Sequence, residues 1–317
     1  MKKIGIFLLL LCFACDSDSV GPAGSSDFGI YLLKDKSASL YHMENIDINK
    51  LELEDAPWIG ADDIEMYDYS SHCIYLKKTK ADFFTQQVGI SYNAQPFVVC
   101  ANNRRCYIGA FYSMTSSIAI STPSIEDIAD FIYPDDVIPI FSGFIGDHDQ
   151  RNNFNIEIGL EQFGILHKGL VFELHSVEIL DNGEIATIRY SYGIKNNDED
   201  DLYILDPAKM GVNLFHYFTN GVVFRGNNIE YIAEYKTKET PDPWDSWKPE
   251  WFSKIRSGEV ITKIITLKGY PHLPPGNYEC FMFFNSPKNI AKEDRILSDG
   301  RYWLGYIQSP NFEMTIQ

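Results

Sequence analysis

Leu170-Val171-Phe172-Glu173-Leu174-His175-Ser176-Val177-Glu178-Ile179, then Asp181-Asn182-Gly183, then Ile185-Ala186-Thr187-Ile188-Arg189-Tyr190-Ser191-Tyr192: these residues decide the class of fold. Successive side chains of a strand point to opposite faces, so the alternation of apolar with polar residues in both runs reads as two half-buried strands. The Asn-Gly between them is turn chemistry, and the pair reads as an antiparallel hairpin. Further short runs occupy residues 202–205, 214–218, 222–225, 260–267, 278–284, 303–307 and 312–316. Many short strands at near-regular spacing predict an all-β sandwich over residues 167–317.

Upstream, residues 27–166 mix the two periodicities and predict an α+β domain, a sheet with helices on one face. Residues 28–33 read as a strand, 61–67 as the start of a short helix, 73–78 as a strand and 81–88 as a helix. Residues 97–100 and 106–111 form a hairpin with Asn102-Asn103 at its tip. Ser124 is placed to cap a helix over 125–132, residues 137–141 are extended, and 152–163 make a last helix.

Three resemblances attach to particular residues. Lys2-Lys3, the apolar run 4–13, Ala14 and Cys15 resemble a bacterial lipoprotein signal, with the cysteine directly after the small residue. That likeness implies removal of residues 1–14 and lipid on Cys15, although Cys12 stands where the pattern has an aliphatic residue. Leu273-Pro274-Pro275-Gly276-Asn277-Tyr278-Glu279-Cys280 resembles the tyrosine corner of immunoglobulin-like sandwiches, with Tyr two residues before Cys. Together with Asn196-Asn197-Asp198, the same run is similar to bacterial proteinase inhibitors of immunoglobulin-like fold, which implies inhibition as an alternative function. The segment from Lys80 through Phe97-Val98-Val99 and Cys106-Tyr107-Ile108-Gly109 to Pro123-Ser124-Ile125 is similar to the periplasmic ferredoxin-like region of the SecD translocation subunit. That likeness implies a topology and no activity.

The first fifteen residues also carry a physical argument. About ten apolar residues make a helix ~15 Å long, half of a ~30 Å hydrocarbon core, too short to anchor the chain by spanning. Residues 15–26 are a polar tether rich in Asp, Ser and Gly, unable to bury a core. The expected address is therefore the cell envelope, with lipid as the membrane partner. The formal charge of −17 becomes two units more negative once Lys2 and Lys3 leave with the signal. Such a chain repels phosphate backbones, so no nucleic-acid partner is expected.

Candidate chemistry is sparse, and neither cofactor nor resident metal is expected. Asp147-His148-Asp149 is the densest titratable cluster and supplies a metal-dependent hydrolase as an alternative reading; a helix-capping loop explains the same residues. Asp198-Glu199-Asp200-Asp201 lacks the spacing that wraps a calcium ion and reads as a solvated hairpin tip. Cys100 and Cys106 flank a turn, which leaves open either a disulfide or two reduced thiols; Cys280 reads as a buried free thiol. Trp244, Trp247 and Trp251, interleaved with prolines, offer an aromatic surface for a protein or carbohydrate ligand, or else fold back over the sandwich edge. These readings favour a non-enzymatic interaction module.

Overall fold

A computed structural model describes residues 28–43, 46–84, 90–117, 119–127, 133–143, 149–219, 221–234, 248–286 and 296–317. The protein is β-rich, and the strands of the described residues gather into five small sheets. The hairpin of residues 170–192 forms as the alternation requires. Strand Leu170–Asp181 pairs with Ile185–Asn196, and Val260–Pro271 adds a third strand. Phe172, Leu174, Ala186, Ile188, Tyr190, Tyr192, Ile265 and Leu267 point into the core, while Glu173, His175, Arg189 and Thr266 face out.

Two further sheets belong wholly to the second half of the chain. One orders Phe252–Ile255, Leu202–Leu205, Gly300–Tyr302 and Ile296–Leu297. The other runs Ile229–Tyr231, Val222–Gly226, Gly276–Asn285 and Tyr306–Gln308, with Phe312–Ile316 also on Gly276–Asn285. In the first half, one sheet orders Ile59–Gly60, Gly29–Leu32, Asn93–Ala101, Arg104–Tyr112 and Ser124–Glu126. The last sheet orders Val137–Pro139, Cys73–Leu76, Ile64–Asp68 and Leu166–His167.

Two parallel pairings gather the charged groups of the interior. Asp68 lies opposite His167, and Leu202 lies opposite Arg301. Each joins residues far apart in the chain and brings a charged side chain to the same region. The largest core cluster is continuous across residues 166–167: Met66, Cys73, Tyr75, Tyr133 and Val137 pack with Leu170, Tyr192, Leu202, Phe284 and Trp303.

Several sequence expectations change. Residues 214–218 are not a strand; they lie in the helix Val212–Thr219, framed by Gly211 and Gly221 at positive φ. A short apolar run fits a buried strand or a buried helical turn equally well, and here Phe215 and Thr219 share the inward face one helical turn apart. Ser124 does not cap a helix. It begins the short strand Ser124–Glu126, and its hydroxyl donates to the Glu126 carboxylate at 3.0 Å. The rest of that expected helix, from residue 128, lies outside the described residues. Residues 61–67 supply only a single 3-10 turn, Ala61–Asp63, before the strand starts at Ile64. The helix expected over 81–88 is present as Lys80–Phe84, and residues 85–88 lie outside the described residues. The run 303–307 is strand only from Tyr306; Trp303 sits off the ladder, wholly buried.

The Asn102-Asn103 hairpin tip forms, with both residues left-handed (φ 49° and 59°), the geometry that matches strand twist in a two-residue turn. A bulge adjoins it: Val99 pairs with Tyr107 and Cys100 with Arg105, which leaves Cys106 as the extra residue. The bulge sends the two thiols to opposite faces. Cys100 packs with Val98 and Ile108, whereas Cys106 lies against the cluster of Phe97 and Val99. A disulfide between them is therefore not made, and both cysteines are free. Burial pushes the Cys100 thiol up to about 12 and Cys106 up to about 11. Cys280 is a buried free thiol as expected, its pKa raised to about 12 by burial. The Tyr278 hydroxyl donates to the Pro274 carbonyl at 2.7 Å, the bond that a tyrosine corner needs.

Candidate functional site

The most concentrated charge in the described residues lies where the two parallel pairings meet. Asp68 closes its strand, and its Oδ1 accepts from the N–H groups of Ser70 and Ser71, each at 3.1 Å, and from the Ser70 hydroxyl at 2.6 Å. An Asp with two following N–H groups turned toward it is a local Asx-type turn, set by the sequence itself. Gly169 must be glycine here: its φ is 63°, and a Cβ would stand 2.2 Å from Ser70 Oγ and 2.5 Å from Asp68 Oδ1. Asp198 sits on the loop after Ile185–Asn196. The Asn196 side chain shapes that loop, accepting from the Asp198 N–H at 2.8 Å and donating to the carbonyls of Asp200 and Ile255.

Arg301 joins the two. Its Nη2 donates to Asp68 Oδ2 and to Asp198 Oδ2, both at 2.8 Å, with all three side chains essentially out of water (3%, 0% and 0% exposed). His167 Nδ1 lies 2.9 Å from Asp198 Oδ1 and 3.7 Å from Asp200 Oδ2. Arg301 Nε is 3.8 Å from Asp200 Oδ2, and the guanidinium carbon stands 5.9 Å from the centre of the Tyr75 ring. Trp303 completes the tie, its indole N–H donating to Ser70 Oγ at 2.9 Å.

The electrostatics arise from this crowding. Burial alone would raise the pKa of Asp198; the hydrogen bond from His167, the Arg301 charge and the Asp200 N–H reverse that and hold the carboxyl well below the usual range. His167 is raised, first by its bond to Asp198, against the opposing cost of burial. His167, Asp198 and Asp200 place one ligand-type atom each within 4.8 Å of one another. The lone pairs are already used, however. Asp198 Oδ1 accepts from His167 and the Asp200 N–H, and Oδ2 from the Gly169 N–H and Arg301. A carboxylate oxygen has about two acceptor sites, so a cation would have to displace a protein donor. The arrangement holds three chain segments together; it does not present a free base or nucleophile.

The residues singled out from sequence meet different fates. Asp147 and His148 lie outside the described residues, as do Cys15, Trp244 and Trp247. Asp149 is bound by Arg151, Nε to Oδ1 at 2.9 Å and Nη2 to Oδ2 at 2.6 Å. Burial would raise the Asp149 pKa, and the Arg151 bonds and charge more than reverse it. Trp251 is half-buried against the main core, with the Lys248 ammonium 5.7 Å from its ring. The acidic run 198–201 is not simply a solvated tip: Asp198 is fully buried, and the backbone of the run is tied to Ser257 and Arg301.

His72 and His216 are buried, which disfavours their charged form, and each meets a tyrosine hydroxyl. The Tyr67 hydroxyl meets His72 Nδ1 at 3.1 Å, and the Tyr190 hydroxyl meets His216 Nε2 at 2.5 Å. Burial presses His216 down to about 3 and His72 well below its ordinary value. The linkage sign is fixed: an unfolded histidine takes up a proton near pH 6.5 while the folded one does not, so stability is full above that pH and is lost as pH falls toward about 3. Thermal unfolding should therefore show a falling Tm below pH 6.5. The His216→Gln variant should show a shallower acid limb; an unchanged slope would remove His216 as a cause.

The sequence does carry a signal for the Asp68–Arg301–Asp198 group, one that periodicity passes over. Arg301 precedes Tyr302-Trp303-Leu304, and Asp68 sits between Tyr67 and Tyr69. A lone charge inside an apolar run needs a buried partner. Which partner it finds, 233 residues away in one case, is a matter of topology.

Fold and site define a class: a β-rich protein whose halves are tied by a buried Asp–Arg–Asp clasp closed by histidine and tryptophan. A scan against models of known protein families and a search of curated proteins both find no match for the chain.

Proposed function

We propose that the chain is a lipid-anchored protein of the bacterial cell envelope, acting as a non-enzymatic interaction module. The observation that carries the non-enzymatic part is the saturation of Asp198: both oxygens of its carboxylate are engaged by protein donors, so the group reads as architecture. The address rests on Lys2-Lys3, the apolar run 4–13, Ala14-Cys15 and the polar tether beyond them. Among the described residues no helix is long and apolar enough to cross a membrane, so attachment through lipid on Cys15 is the anchor proposed. The finer fold proposed for the second half is an immunoglobulin-like sandwich, supported by the Tyr278–Pro274 bond and the long antiparallel hairpin. The proposed ligand, protein or carbohydrate, meets the segment that ends at Trp251.

The test is intact-mass analysis and detergent partition of the full chain produced in a bacterial host. The expected product begins at Cys15, carries a lipid adduct and partitions with detergent, and Cys15→Ser abolishes both. An exported protein with unmodified Cys15 overturns the anchor. Stoichiometric zinc in the purified protein, lost on His148→Ala, overturns the non-enzymatic reading.

A further inference from the structure

His167 is the member of the clasp that changes charge near neutral pH, and its position gives that change a structural consequence. It belongs to the two-residue strand Leu166–His167, held to Ile64–Asp68 by parallel pairing and by the Tyr69 N–H to the His167 carbonyl at 2.7 Å. Its ring reaches across to the Asn196–Asp201 loop, to Asp198 Oδ1 at 2.9 Å and Asp200 Oδ2 at 3.7 Å. The charged groups on the elements packed around it are unbalanced. The loop contributes Asp198 and Asp200, the strand Ile64–Asp68 contributes Asp68, and the strand Gly300–Tyr302 contributes Arg301 as the permanent cation. Elsewhere on the loop, Asp201 is paired with Lys254 at 3.0 Å, and Glu199 is exposed to solvent. The helix Phe154–Gln162 brings Glu157, which is engaged by Lys168 at 3.7 Å. Asp68, Asp198 and Asp200 thus face one arginine, and a second positive charge is needed to approach balance.

We propose that His167 is a proton-operated tie, which in its charged form bridges Asp198 and Asp200 and locks the Asn196–Asp201 loop onto the strand Leu166–His167, and on losing its proton releases Asp200 and loosens that loop. The step is a simple proton exchange with solvent, and the ring is accessible enough for it, at 23% exposure. As a neutral ring, His167 keeps one donor, and Asp198 retains it because its bond is the shorter. Asp200, half-exposed, has water to turn to. The sign agrees with the direction of the shift at His167: a raised folded-state value stabilises fully below about pH 6.5, and the contribution is lost as pH rises through the folded value. It is opposite to that of His72 and His216, so the tie tightens in the range where those two begin to weaken the fold.

The experiment compares the full chain with His167→Gln by thermal unfolding from pH 5 to 9, with hydrogen exchange of residues 196–201 read at both ends. Gln keeps a donor for Asp198 and carries no charge. The expected result is a Tm deficit of about 2–4 °C in the variant at pH 5.5 that closes by pH 8.5. Exchange in 196–201 should quicken with pH beyond its intrinsic rise in the parent protein only. A deficit independent of pH, or loop protection that does not differ between the two proteins at low pH, overturns the proposal. So does a zinc-induced rise in Tm at pH 8.5 that His167→Gln abolishes, since His167 would then serve a metal and not a proton.

Discussion

Replacing Arg301 by Met is expected to lower the unfolding free energy by about 3–5 kcal/mol, because two buried carboxylates lose their common partner. Asp68 and Asp198 are both fully inaccessible, and each receives an Arg301 Nη2 bond at 2.8 Å. Their remaining donors are neutral N–H and O–H groups and His167, which cannot offset the desolvation of two negative charges. A loss of that size is a large part of the ~5–15 kcal/mol by which folded proteins commonly exceed their unfolded states. Urea denaturation at pH 7 measures it as a shift in midpoint at unchanged m-value. The triple change Asp68→Asn, Asp198→Asn, Arg301→Met should recover part of the loss, since the variant buries no unpaired charge. A single-variant loss under ~1 kcal/mol would mean that water reaches the clasp, and the buried tie would not exist as described.

Trp303→Ala should cost a comparable ~3–5 kcal/mol, through a different mechanism. The indole is wholly buried, lies against the Phe284 ring with centroids 5.6 Å apart, and belongs to the core cluster that spans both halves. Its removal leaves a cavity whose surroundings, Ser70 and Phe284 among them, come from segments far apart in the chain and cannot all close inward. Trp303→Phe separates the two contributions. It keeps much of the packing but leaves Ser70 Oγ without the indole donor, at a further cost of about 1 kcal/mol. The contrast between the two variants in one denaturation series is the check. An Ala variant no less stable than the Phe variant would show that volume at this site matters little.

Much of the secondary structure is legible in the sequence because its causes are local. The hairpin of residues 170–192 comes from alternation and Asn-Gly, and the turn at Asn102-Asn103 from the tolerance of asparagine for left-handed backbone; the helix expected over 152–163 is present as Phe154–Gln162, capped by Asn153 and not by Asp149 or Asn152. The elements that differ from expectation share a cause as well. Residues 214–218 are a short apolar run and 124–126 a three-residue segment with one apolar side chain; neither is long enough for its periodicity to separate helix from strand, so the packing around them decides. Cys100 and Cys106 are free and pack into different clusters because of one inserted residue. The bulge at Cys106 flips its side chain to the opposite face, and a period of two gives no warning of such a slip.

The clasp marks the boundary between the two sources of information. By itself, the sequence determined that the second half would be rich in short strands, that residues 170–192 would pair as an antiparallel hairpin, and that Cys280 would be a buried thiol; the charges of Asp68 and Arg301 among aromatic neighbours stand in it unread. Only the tertiary structure decided that these two charges meet each other and Asp198, because the meeting depends on two parallel strand pairings, Asp68 with His167 and Leu202 with Arg301. Hydrophobic patterning specifies which side of a strand is buried. It carries no label for which distant strand lies beside it, and a buried charge is stable only where that neighbour brings the opposite sign.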